Sequence, residues 1–153
     1  MTAVNIPLQL QFEQAVQSFQ AAEVDCRLAV IWQTYQTLGQ AFAAIAPVAL
    51  FSQAVQQLIS QMQQLDSHDQ VAILRDILAG ADTRFSQAYR GLNINMKLAF
   101  WHRLVHLMPA GRLPLEACQE SAHNGSATTQ TLLKRIDAMG LNERLHFLRR
   151  VVD

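Results

Sequence analysis

Apolar positions recur about every 3.6 residues along this chain, and no stretch alternates with the period of two expected of a half-buried strand. The spacing predicts a first helix over about residues 9–20, with Leu10, Phe12, Val16 and Phe19 as its apolar contacts. A second, over about 24–40, opens near Asp25 and weakens at Gly39, and Pro47 then breaks the chain. A third, over about 51–65, places Phe51, Val55, Leu58, Ile59 and Met62 on one side. Ser67 to Gln70 reads as a capping box that starts a fourth helix, stopped at Gly80. Asp82 is expected to cap a short helix over about 83–90, ended by Gly91. Asn93 or Asn95 starts the next, which closes near Pro109. The stretch "PAGRLPLEACQESAHNGS" reads as loop, with two prolines and two glycines. Ser126 opens a helix to Met139 that Gly140 stops, and Asn142 caps the last one. The fold class is therefore all-α, with seven or eight helices and no clear repeat.

Two of these helices carry more aromatic weight than the rest. In "LAVIWQTYQTLG", Leu28, Ile31, Trp32, Tyr35 and Leu38 fall on one stripe. In "MKLAFWHRLVHLM", Leu98, Trp101, Leu104, Val105 and Met108 do the same. Periodicity leaves two readings open. The stripes are an aromatic core seam, or they are two walls of a slot for a long, flat, apolar ligand, as helix-bundle interiors can provide. Aromatic faces stack on conjugated systems, and methionine fits irregular shapes. An ~18-residue helix is ~27 Å long, enough to flank much of such a molecule.

Composition narrows the chemistry. The chain has 153 residues, the size of one domain, and half of them are hydrophobic, which is ample for a core. Charged residues make up only 16%, and glutamine supplies polarity instead. No apolar run approaches the ~20 residues of a membrane span, and no basic leader segment precedes the first helix. Cys26 and Cys118 show neither metal spacing nor a disulfide framework, so a reduced, cytoplasmic setting is the simplest expectation.

Net charge is zero but lopsided: before Leu74 the only basic residue is Arg27, whereas Lys134, Arg135, Arg144, Arg149 and Arg150 crowd the last stretch. That basic face is either a solvated helix surface or a docking site for an acidic partner. Nucleic acid is disfavoured, because no basic stripe interleaved with aromatics is present. His102 and His106 have the i, i+4 spacing of a metal chelate but lack the glutamate of H-E-x-x-H. Carboxylates are scattered and no nucleophile or nucleotide motif is present, so no enzyme is expected.

The two aromatic motifs resemble a known family. "LAVIWQTYQTLG" is similar to the "LALIWxxYxxMG" stretch of the N-terminal domain of the orange carotenoid protein of cyanobacteria. "INMKLAFWHRLVHLM" looks like that domain's "NIKLGFWYxLGxxM". "AIAP" at 44–47, "ADT" at 81–83 and "FLRRVVD" at 147–153 fall in matching places. The resemblance runs over about residues 15–153, with 1–14 as an arm and the start of the first helix. A stand-alone copy of that domain is what the helical carotenoid proteins are.

The resemblance implies two interleaved four-helix subdomains with one keto-carotenoid (canthaxanthin, echinenone or 3'-hydroxyechinenone) threaded between them. It implies photoprotection: singlet-oxygen quenching, phycobilisome excitation quenching, or carotenoid carriage. Implied partners are the carotenoid, the phycobilisome or a carotenoid-carrying homologue of the family's C-terminal domain. The implied state is a monomer or weak dimer, cytoplasmic or thylakoid-associated, with no light-driven domain separation of its own. By position, Leu28, Ile31, Trp32, Tyr35, Leu38, Leu98, Trp101, Val105 and Met108 match pigment-lining sites. Leu74, Leu145 and Val152 match further ones, and Arg149, with Arg150 beside it, matches a docking arginine. A slot between subdomains also implies a loosely packed core without pigment.

There are departures. The family's Pro-x-Pro-x-Gly-Tyr segment is "RLPLEACQES" here, with no tyrosine. Val105 and Ala99 replace glycines, and His102 replaces an aromatic. The rival expectation is a pigment-free helical interaction module that docks through its basic C-terminal face.

Overall fold

The computed structural model describes residues 5–39, 41, 52–107 and 129–153. The described residues form eight helices and no strand: α1 (Asn5–Ala21), α2 (Val24–Leu38), α3 (Gln53–Gln63), α4 (Ser67–Ala79), α5 (Arg84–Arg90), α6 (Ile94–Leu107), α7 (129–137) and α8 (Leu141–Val152). The predicted all-α class and the order of its elements match. α1 starts four residues before its predicted position, and Pro7 is accommodated because first-turn amides have no intrahelical acceptor. Pro47, Phe51, Met108, the predicted loop 109–126 and the predicted helix start at Ser126 lie outside the described residues.

The caps differ from expectation by one or two residues. Asp66, not Ser67, caps α4: its Oδ1 accepts from the Asp69 amide at 2.9 Å. Gln70 turns backward instead, and its Nε2 donates to the carbonyls of Met62 (3.0 Å) and Leu65 (2.9 Å). It thereby adds a bond to the Met62 carbonyl, which already accepts from the Leu65 amide at 3.0 Å, and gives a donor to the Leu65 carbonyl just past α3. Thr83, not Asp82, caps α5 by accepting from the Ser86 amide at 3.2 Å. Asn93 opens α6, its Oδ1 accepting from the Met96 amide at 2.9 Å. α8 starts after Gly140, so Asn142 lies inside its first turn. Gly80 closes α4 in the left-handed conformation, φ 70°, where a side chain would be strained.

The two aromatic helices occupy the middle. α2 lies against α4, α6 and α8, and α6 lies against α2, α3 and α8. α1 packs on α8, so the first and last elements of the chain meet. Polar ties fix α2 to α4: Asp25 pairs with Arg75 (2.5 Å), and Arg27 Nη1 donates to the Leu78 carbonyl (3.1 Å) near the end of α4. α1 and α8 are joined by Phe12 stacked on His146, Phe19 edge-on to Phe147, and an exposed Glu13–Arg150 pair at 3.2 Å.

A single apolar stripe per central helix underestimates their burial. On α2, Cys26, Ala29, Val30 and Thr34 are buried besides the predicted stripe, and on α6 so are Lys97, Ala99, Phe100 and His102. Both helices have neighbours on more than one side, so little of either surface remains for water. The buried Thr34 hydroxyl is satisfied locally, donating to the Val30 carbonyl at 2.7 Å.

Candidate functional site

The predicted lining residues of α2 and α6 converge. Leu28, Ile31, Tyr35 and Trp101 are 0% exposed, Trp32 and Leu98 2%, and Leu38 and Val105 6%. The walls meet at a named bond: Tyr35 Oη donates to the Leu98 carbonyl at 2.9 Å, although the residues are 63 apart in sequence. Leu74 on α4 and Val152 on α8 belong to the same buried cluster. Leu145 is half-buried at its margin. Met108 lies outside the described residues.

The polar tips of the buried aromatic side chains are used internally. Trp101 Nε1 donates to Tyr89 Oη at 2.9 Å, and Tyr89 Oη donates in turn to the Val152 carbonyl (2.5 Å). The Tyr89 and Trp101 rings stand edge to face, with centroids 6.4 Å apart. Phe100 stands edge to face against both, 5.4 Å from Tyr89 and 5.5 Å from Trp101.

The site is almost free of charge. Lys97 is the one buried cation of α6, and its Nζ leaves the apolar seam for Asp153 Oδ1 at 3.2 Å. On the way it passes 5.6 Å from the Tyr89 ring centroid, within cation–π range. Burial raises the pKa of Tyr35, and the nearby Tyr89 adds to it. Burial likewise raises that of Tyr89, so both phenols stay protonated and donate. His102 is buried beside Tyr35, ring centroids 6.4 Å apart. Burial lowers its pKa to about 4, with His106 and Arg103 adding repulsion, so the imidazole is neutral. The His102 and His106 rings lie 4.3 Å apart, but among the described residues no group of three His, Cys, Asp or Glu side chains gathers for a metal.

Sequence reasoning passed over Tyr89, Phe100 and Lys97 as members of this cluster, and noted His102 only as replacing an aromatic of the family motif. Tyr89 sits on a seven-residue helix with too little periodicity to show a face. A tyrosine twelve residues before Trp101 gives no helical-spacing signal. The only usable hint was general, namely that a buried tyrosine hydroxyl needs a partner.

The predicted docking arginines differ in their engagement. Arg149 Nη2 donates to Asn95 Oδ1 at 3.2 Å, joining α8 to α6. Arg150 is occupied by Glu13, through both carboxylate oxygens at 3.2 and 3.5 Å. Among the described residues, cavities of about 550 and 420 Å³ lie along α1 and α8, the second extending to α7. Neither is lined by a predicted pigment residue.

An all-α domain with two largely buried aromatic helices at its centre is the class this fold defines. The chain belongs to the family described as orange carotenoid protein, N-terminal, which matches residues 6–153. It is 31% identical over 135 residues to an orange carotenoid-binding domain-containing protein of Nostoc sp. strain PCC 7120, covering 88% of this chain and 77% of that one. It is 29% identical over 115 residues to the orange carotenoid-binding protein of Synechocystis sp. strain PCC 6803, covering 74% of this chain but only 36% of that longer protein. Among solved structures it resembles the Red Carotenoid Protein of Anabaena (Nostoc) sp. PCC 7120 binding canthaxanthin, with TM-score 0.68, 25% identity and coverage of 92% and 94%. Among the described residues no helix is long and apolar enough to cross a membrane.

Proposed function

We propose that this chain binds one keto-carotenoid non-covalently along the seam between α2 and α6 and serves photoprotection. The observation that carries the reading is the meeting of the two family motifs as one buried, uncharged, aromatic surface, joined at Tyr35 and Leu98. Trp32 and Trp101 grip the polyene or a terminal ring, Tyr35 stacks beside them, and Leu28, Ile31, Leu38, Leu74, Leu98, Val105, Met108, Leu145 and Val152 supply apolar wall.

Because the lining residues are buried, pigment entry exchanges side-chain contacts for pigment contacts. Hiding on the order of 600 Å² of pigment and protein surface contributes a gross ~15 kcal/mol at ~25 cal/mol/Å². Opening the walls, ordering the ligand and association offset much of it. Canthaxanthin is the first pigment to try, since the Red Carotenoid Protein structure binds it. The bound pigment acts as a singlet-oxygen quencher, a phycobilisome quencher or a cargo. Arg149, whose only described partner is a neutral amide, is the better docking residue, because Arg150 is held by Glu13.

Expression in a canthaxanthin-producing host tests this: the purified protein is coloured, with a visible absorption band that co-elutes with the 17.1 kDa chain. A colourless product from a host shown to contain the pigment rejects it.

A further inference from the structure

Tyr89 touches the proposed pigment wall without belonging to either aromatic stripe. Its hydroxyl accepts from the Trp101 indole at 2.9 Å and donates to the Val152 carbonyl (2.5 Å). A phenol has one proton to give, so the two bonds together fix its direction: received from α6, given to α8. Tyr89 is only 5% exposed, Trp101 0% and Val152 2%, so water does not compete for these groups. Lys97 over the Tyr89 ring and its pair with Asp153 hold the same last turn of α8 against α6. The Trp101 ring is thus clamped at its polar edge by a residue from a third helix, while its faces are left to packing.

We infer that Tyr89 is a positioning residue for the pigment: it sets the orientation of the Trp101 indole and ties that orientation to the last turn of α8. The inference rests on the proposed carotenoid binding. It assigns to the Tyr89 hydroxyl a role that neither packing nor periodicity requires, since phenylalanine fills nearly the same volume. An indole free to turn about χ2 presents a less defined wall to a polyene. The consequence is a broader, shifted visible band and faster pigment loss rather than an absent one.

The test compares unaltered protein with Tyr89→Phe, both loaded with canthaxanthin in the same host. The indole N–H resonances of Trp32 and Trp101, the only two tryptophans, are read by NMR and assigned with Trp101→Phe. Tyr89→Phe is expected to move the Trp101 signal and leave that of Trp32, to broaden the visible band, and to speed pigment transfer to acceptor liposomes at least ~3-fold. An unmoved Trp101 signal overturns the inference. So does a moved signal with unchanged band and transfer rate, which makes the bond structural only. If the unaltered protein takes up no canthaxanthin, the proposed function fails and the pigment role of Tyr89 falls with it, whereas the Trp101 signal still reports the bond. If Tyr89→Phe does not fold, uniform 3-fluorotyrosine replaces it. The chain has only Tyr35 and Tyr89, so the labelling is done in a Tyr35→Phe background, where Tyr89 alone is fluorinated and the Trp101 signal and the band must shift together. A shift in neither overturns the inference.

Discussion

Tyr35 and Leu98 join the two central helices by one buried hydrogen bond, phenol to carbonyl at 2.9 Å, across 63 residues of sequence. Leu98 is one turn into α6, so its carbonyl is also within reach of an ordinary intrahelical donor. The bond is therefore an added tie between walls, not the sole partner of an otherwise stranded carbonyl. Tyr35→Phe keeps the ring and removes the tie, and its expected cost is about 0.5–1.5 kcal/mol. Urea unfolding of pigment-free protein measures this as a lower midpoint with unchanged slope.

Trp101 is the largest fully buried side chain of the core. Trp101→Ala leaves a cavity and removes the indole N–H that the Tyr89 hydroxyl accepts from, and the expected loss is about 3–5 kcal/mol. Trp101→Phe loses less, because the ring volume is partly kept. Chemical unfolding of both variants without pigment separates this structural cost from the loss of colour expected of Trp101→Ala in a pigment-producing host.

His102 makes stability depend on pH. Its folded-state pKa is lowered from 6.5 to about 4, chiefly by burial and then by His106 and Arg103. Between those values the unfolded chain holds a proton that the folded protein does not. Stability from this group is therefore complete above pH 6.5 and declines as pH falls toward about 4. The slope is at most about 1.4 kcal/mol per pH unit for one proton. Thermal unfolding from pH 7.5 to 4.5 shows the decline, and His102→Phe flattens it over that window.

Substitution of Arg149 and Arg150 on α8 is expected to separate docking from pigment binding. Arg149→Ala with Arg150→Ala leaves the visible band unchanged, since neither side chain reaches the seam. Loss of the exposed Glu13–Arg150 pair costs less than about 1 kcal/mol. Phycobilisome co-sedimentation at low and physiological salt then reports docking, and Arg149→Ala alone is expected to account for most of any loss.

The helices were legible in the sequence because each buries an apolar stripe and is punctuated by Gly, Pro or a capping side chain. The caps were legible only to within a residue or two. Asp66 and Ser67, or Asp82 and Thr83, are adjacent acceptors of similar quality, and backbone geometry settles which one is used. The stripes of α2 and α6 were legible as stripes, but their burial on several sides was not, because periodicity does not report how many neighbours a helix has. The links that complete the candidate site were the least legible. Tyr35 to Leu98, Tyr89 to Val152 and Glu13 to Arg150 span 63, 63 and 137 residues, and no local spacing encodes them. The family motifs supplied part of that missing information, since they marked α2 and α6 as a pair before their contact was known.

The central claim is that the α2–α6 seam holds a carotenoid. Its most direct test is the molar ratio of extracted keto-carotenoid to protein, measured on chain purified from a canthaxanthin-producing host alongside Trp101→Ala. The account predicts about one pigment per chain for the unaltered protein and a strongly reduced ratio for Trp101→Ala. A ratio near zero for the unaltered protein, or equal ratios for both, contradicts it.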